Sequence, residues 1–189
     1  MKSGQKESLD EYEVNPFTMI ILPYQYGSKT FSRIYEFEDD YISPLKPIDI
    51  IKKSCQYFGS SYEGRKDGAR DLTGITHKVP IIIDPHNSIY FLPTTSPSNP
   101  NCIWVSHEHV LNHKKIDSRH TYVTFRNKQS ITLPVSFRSF ENQLLRTALL
   151  KTRMMERMKE TERRAVYLFQ GPKYSQNSSA GMVSEIYKD

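Results

Sequence analysis

Val79-Pro-Ile-Ile-Ile-Asp84, Pro85-His-Asn-Ser88 and Ile89-Tyr-Phe-Leu92 read as strand, turn and strand. Short runs of β-branched and aromatic residues bounded by turn formers are hairpin signals, and strands this apolar are buried. Strand patterns continue on both sides of this hairpin. Upstream, Thr18 to Leu22 is apolar and β-branched, Tyr26-Gly-Ser-Lys29 is a turn, and Phe31 to Phe37 alternates. The alternation puts Phe31, Arg33, Tyr35 and Phe37 on one face and Ser32, Ile34 and Glu36 on the other. The acidic Glu38-Asp-Asp40 closes that region. Downstream, Thr94 to Asn101 is a surface loop. Strands resume at Cys102 to Val105, Thr121 to Phe125 and Ser130 to Leu133, the last two joined at Asn127-Lys128.

Two segments carry a helical period instead. From Pro47 to Phe58, Ile48, Ile51, Cys55 and Phe58 share a face, Lys52, Lys53 and Gln56 turn away, and Gly59 supplies the stop. From Ser139, the expected N-cap, to about Arg164, Phe140, Leu144, Ala148 and Met155 form a stripe widened by Leu145, Leu149 and Met158. Gly59 to Lys78, with four glycines and no apolar period before Leu72, reads as a loop. The expected fold is therefore a single compact α+β domain. It has an antiparallel or mixed sheet, a short central helix and a long C-terminal helix packed against it. Residues 1–10 are expected to be a disordered N-terminus, 11–170 the domain, and 171–189 a flexible tail.

The composition bounds the function. The 189 residues are 37% hydrophobic and 25% charged, a globular balance. Two cysteines make no disulfide framework, and no apolar run approaches the roughly 20 residues of a membrane span. The expectation is a cytoplasmic protein. The net charge of +5 is uneven. Residues 1–47 carry five Lys/Arg against eight Asp/Glu, residues 48–160 seventeen against ten, and residues 161–189 four against three. A basic centre of this kind suits a polyanionic partner.

Catalytic motifs do not assemble. Gly59-x4-Gly64-Arg65-Lys66 falls one residue short of a phosphate-cradling loop, but no strand precedes it and no helix is expected after it. Lys66 or Asp67 also stands where a hydroxyl is needed. His107, His109, His113 and His120, with Cys102 upstream, match no zinc spacing. Ser106-His107 and Cys55 lack a nucleophile elbow and an orienting acid, and Cys55 lies on an apolar helix face. No enzyme, metal or cofactor is expected. The same glycine-rich loop does suit phosphate: Ser60 and Ser61 offer hydroxyls, Arg65, Lys66 and Arg70 offer charge, and Lys52 and Lys53 extend the patch. The opposing reading is a solvated turn whose charges pair with Glu63, Asp67 and Asp71. Tyr57, Phe58, Tyr62, Tyr90, Phe91 and Trp104 read as core rather than as base-stacking platforms, with Tyr62, in the basic loop, the exception.

Lys53-Ser-Cys-Gln-Tyr-Phe-Gly-Ser-Ser-Tyr-Glu-Gly-Arg-Lys66, followed by Thr76-His-Lys-Val-Pro-Ile81, resembles the ComK family of bacterial competence transcription factors. Further matches follow in family order: Asp84-Pro85, Phe91-Leu-Pro-Thr94, Cys102-Ile-Trp-Val-Ser-His107, Leu133-Pro134, Ser139-Phe-Glu-Asn-Gln143 and Arg146-Thr-Ala148. The resemblance implies a sequence-specific activator of DNA-uptake genes that binds paired AT-rich boxes, largely through the minor groove. It also implies dimers assembling into tetramers, work with RNA polymerase, and control by an adaptor-directed protease that grips a short apolar segment ending in Pro-Lys. Tyr167-Leu168-Phe169, with Pro172 and Lys173, is the matching segment here, though Gly171 departs from its character. Met155 and Met158 are the expected oligomer contact. The rival reading is a protein-interaction or adaptor module with a basic surface.

Overall fold

The computed structural model describes residues 7–170. Strands Glu7–Ser8 (β1), Thr18–Tyr26 (β2), Lys29–Glu36 (β3) and Asp40–Ser43 (β4) precede helices Pro47–Tyr57 (α1) and Tyr62–Thr73 (α2). Strands Ile81–Asp84 (β5), Ile89–Pro93 (β6), Trp104–Ser106 (β7), Val110–Lys115 (β8), Thr121–Phe125 (β9) and Ser130–Leu133 (β10) follow, then the helix Phe137–Gln170 (α3). Seven strands form a sheet in the order β1-β4-β3-β2-β7-β6-β5, and the other three form a sheet β10-β9-β8. Among the described residues only β1 with β4 pairs in parallel, so the larger sheet is mixed and the α+β class stands. Gly27 and Ser28 alone link β2 to β3, Tyr26 pairing Lys29. A turn this tight uses the positive φ of Gly27, +59°.

The pleat of the seven-stranded sheet divides the core. Ile21, Ile34, Ile81, Phe91 and Trp104 point to one face, where they meet Ile50, Ile51 and Cys55 of α1 and Tyr62 of α2. Their neighbours Ile20, Leu92 and Val105 point to the other, against Val123, Phe125 and Leu133 of the three-stranded sheet and Phe140 of α3. A third cluster joins Ala69 of α2 with Val79, Ile82, Tyr90 and Leu150. By compactness the chain divides at Met155. Residues 1–155 hold both sheets, α1, α2 and the first half of α3; the rest of α3 belongs to residues 156–189.

Several expectations are corrected. The region 59–78 is not a loop: α2 fills Tyr62–Thr73, capped by the Ser61 hydroxyl, which accepts from the Gly64 amide at 3.0 Å. Its buried residues are Tyr62 and Ala69, so packing at two positions offsets two internal glycines that each cost roughly 1 kcal/mol against alanine. Gly74, at φ +72°, closes it in the left-handed conformation. A helix therefore does follow Gly59, but it begins inside the glycine motif. The Gly64 and Arg65 amides bond to Ser61, so no phosphate cradle forms there. The long helix starts two residues before Ser139, and Ser136 supplies the cap instead.

Its buried face overlaps only part of the expected apolar stripe, with Phe140 buried and Leu144 packed against the second cluster. Phe140, Gln143, Thr147 and Leu150 are buried, whereas Leu145 is 63% exposed and Leu149 41%. Gln143 fits inside because its amide donates to the Lys78 and Pro93 carbonyls at 2.9 and 2.8 Å, and the Thr147 hydroxyl donates to the Gln143 carbonyl. The helix then runs on to Gln170, so Val166 to Phe169 are helical and exposed. Glu7 and Ser8, within the stretch expected to be disordered, pair as β1 with Tyr41 and Ile42. Residues 1–6 and the tail 171–189, with Pro172 and Lys173, lie outside the described residues.

Candidate nucleic-acid interface

An open cleft of about 520 Å³ lies on the α1–α2 side of the domain. Ile48 and Lys52 of α1 are one helical turn apart on its wall, and Glu63, Lys66 and Arg70 present one face of α2 at i, i+3 and i+7. The segment Thr76 to Val79 and the loop Ser96 to Pro100 close the remaining sides. Lys46, Lys52, Lys66, Arg70 and Lys78 thus surround the space with a single carboxylate, Glu63. Ser96, Ser98 and Asn99 add neutral hydrogen-bonding groups. Lys46 and Lys52 make no ion pair among the described residues. Lys66 pairs with Glu63 and lies 5.5 Å over the Tyr62 ring, while Arg70 reaches Asp67 at 3.2 Å. Two pairings of the solvated-turn reading are therefore present. They are i, i+3 pairs on exposed carboxylates, with Lys66 itself half-buried, of the kind worth little in water and readily exchanged for phosphate. Tyr62 is buried, and desolvation, helped by Glu63, pushes its phenol up to about 12, so it stays neutral in the cleft wall.

The candidate residues separate. Lys52, Lys66 and Arg70 converge on the cleft. Lys53, one residue from Lys52, turns about 100° around α1 and pairs with Glu11 at 3.3 Å. Arg65 is half-buried, its Nε unpartnered among the described residues, and lies near Cys55 and Tyr90. The Ser60 amide bonds to the Cys55 carbonyl, and Ser61 is the cap. A Cβ on Gly64 would come within 3.0 Å of that Ser61 hydroxyl, which is why glycine suits the position. Lys46, His77 and Lys78 escaped the sequence reading, because they sit at element ends with no period to mark them. Ser61→Ala should cost about 1 kcal/mol by loss of the cap. The urea midpoint should fall at constant m-value, and an unchanged midpoint would remove Ser61 from that role.

The histidines and cysteines disperse. His107 approaches Glu108 at 3.3 Å, His109 meets the Pro16 carbonyl at 2.8 Å, His113 stacks on Phe137, and His120 binds Asp117. Among the described residues no three His, Cys, Asp or Glu converge as a metal-binding group. Cys55 is buried, and desolvation pushes its thiol up to about 11, opposed by Arg65. Such a thiol is an inert core residue.

Residues 9–159 match the family described as ComK protein. The chain belongs to the ComK family. Over 150 residues it is 44% identical to the competence transcription factor of Bacillus subtilis (strain 168), the similarity covering 79% of this chain and 78% of that one. No solved structure matches it. The ComK match contains every residue of the cleft and ends at Lys159, before the exposed Val166 to Phe169. No helix of the described residues is long and apolar enough to cross a membrane.

Proposed function

We propose that this protein is a transcriptional activator of competence genes and binds duplex DNA through the cleft between α1, α2 and the 96–100 loop. The observation that carries the reading is the ring of five Lys/Arg around one carboxylate, within a family that includes a competence transcription factor. A sequence-specific activator is not an enzyme, and the reading assigns it no reaction or cofactor. Its sites are paired AT-rich boxes read largely through the minor groove, whose narrow, strongly negative form in AT tracts attracts Arg and Lys. Arg70 and Lys66 have the reach for that role, with Lys46, Lys52 and Lys78 on flanking phosphates.

On this reading the protein works on the nucleoid as dimers and tetramers that recruit RNA polymerase. Met155, 41% exposed, and Met158 are the oligomer contact. Tyr167, Leu168 and Phe169, at 67, 78 and 90% exposed, are offered to the adaptor-directed protease as a helical segment. Changing Met155 and Met158 to Glu should leave a folded monomer in sedimentation; a dimer that persists would remove that contact.

The test of DNA binding is fluorescence anisotropy on AT-rich and GC-rich duplexes across salt. The three phosphate contacts of the cleft by themselves predict a log–log salt slope of about −3, together with tighter binding to the AT-rich duplex. An adaptor module with a basic surface would show neither, and that outcome would replace this reading.

A further inference from the structure

The outer face of the three-stranded sheet carries a second concentration of charge, on the side of the seven-stranded sheet opposite α1. Thr121, Val123, Phe125 and Leu133 are buried on its inner side. The alternate residues therefore face outward. In register across the strands, Lys114, Tyr122 and Thr132 form one row, and Asn112, Thr124 and Ser130 the next. Every one of these six can hydrogen-bond, none is acidic, and Tyr122 is 41% exposed.

The charge around this face is one-sided. Residues 110–133 hold five Lys/Arg against one carboxylate, Asp117. That carboxylate is already committed, to the His120 ring at 2.8 Å and to the Arg119 and His120 amides. Lys114, Lys115, Arg119 and Lys128 are exposed and pair with no carboxylate among the described residues. A buried ligand site is not the use of such a face. Unpaired cations beside a polar, pleated surface fit a polyanion, and strands serve as DNA-reading elements in several protein classes.

We propose that this face is a second duplex-DNA contact surface. Lys114, Arg119 and Lys128 lie on phosphates, and Asn112 and Tyr122 turn toward the groove. The inference rests on the DNA-binding function proposed above and adds a surface to it. Because the seven-stranded sheet separates this face from the cleft, each engages its own stretch of duplex, and substitutions in the two should act additively.

The test uses the full chain and anisotropy on AT-rich and GC-rich duplexes, with circular dichroism to confirm the fold. Replacing Lys114, Arg119 and Lys128 with Ala should lower the salt slope by about 3, at roughly 0.9 per phosphate. Affinity should fall by the same factor on both duplexes, since phosphate contacts carry no sequence information. If that variant does not fold, Lys114→Gln with Lys128→Gln carries the test, with an expected drop of about 2. Wild-type protein that binds DNA and weakens on Lys66→Ala and Arg70→Ala, but keeps its slope in the sheet variants, would overturn this inference alone. A wild-type chain with no affinity for duplex would overturn the proposed function and this surface together.

Discussion

Replacing Lys52, Lys66 and Arg70 together with Ala is expected to weaken binding to AT-rich duplex by about 3 to 5 kcal/mol, a loss of more than a hundredfold. A base-edge or groove contact is worth about 1 to 3 kcal/mol and a phosphate contact less, so Arg70 and Lys66 should dominate. Lys66→Ala should cost more than Lys52→Ala for a second reason. It releases Glu63, the one carboxylate on the cleft, to face the phosphates unpaired. Glu63→Gln should accordingly strengthen binding. Lys53→Ala is the internal control: Lys53 adjoins Lys52 in sequence but pairs with Glu11 away from the cleft, and its loss should change affinity by less than twofold. Anisotropy titrations at fixed salt read these five variants and Arg70→Ala. Lys53→Ala as damaging as Arg70→Ala, or a triple variant of wild-type affinity, would show that DNA does not enter the cleft.

Trp104→Ala is expected to be the most damaging single change to stability, at about 3 to 5 kcal/mol. Folded domains hold only about 5 to 15 kcal/mol in total, so this is roughly a fifth or more of the margin. Trp104 is fully buried on β7, and its ring meets Tyr62 edge-on, with centroids 6.4 Å apart. That contact ties the first turn of α2 to the sheet, so the cavity left by Ala would loosen the helix that carries Lys66 and Arg70. The Trp104 indole N–H has no partner among the described residues. Trp104→Phe, which removes an unsatisfied donor and keeps an aromatic ring, should therefore cost much less than Ala. Urea unfolding followed by circular dichroism measures both, since Trp104 is the only tryptophan and its fluorescence is lost. Equal losses for Phe and Ala would mean that the ring contact on Tyr62 does not anchor α2.

The local signals that were legible are those in which one segment carries its own evidence. Pro47 and Gly59 bracket α1 within two residues of its observed ends, and Gly27 and Lys128 sit in turns that their neighbours announce. The apolar runs at 18–22, 81–83 and 89–92 became strands because burial on both faces suits any residue order in them. The ordered ComK motifs also lay open in the chain, independent of any geometry.

What remained hidden depends on partners far along the chain. Gln143 and Thr147 belong inside because Gln143 reaches carbonyls 65 and 50 residues away, and no apolar period records such a bond. Reading only apolar positions therefore rotated α3 and put Leu145 and Leu149 on its buried side. Helix α2 shows the same limit. Its propensity is poor, but Ser61, Gly74 and the 62–69 spacing are its marks, and they decide the matter only once Trp104 and the third cluster receive Tyr62 and Ala69. Strand β8 left almost no pattern and is held by pairing to β9. The sequence by itself determined the fold class, the family and a positive centre of charge. Tertiary structure decided which charges meet, selecting Lys52 over Lys53 and adding Lys46 and Lys78. A cation's direction is set by the helix or turn beneath it, and that element by contacts its own residues do not encode.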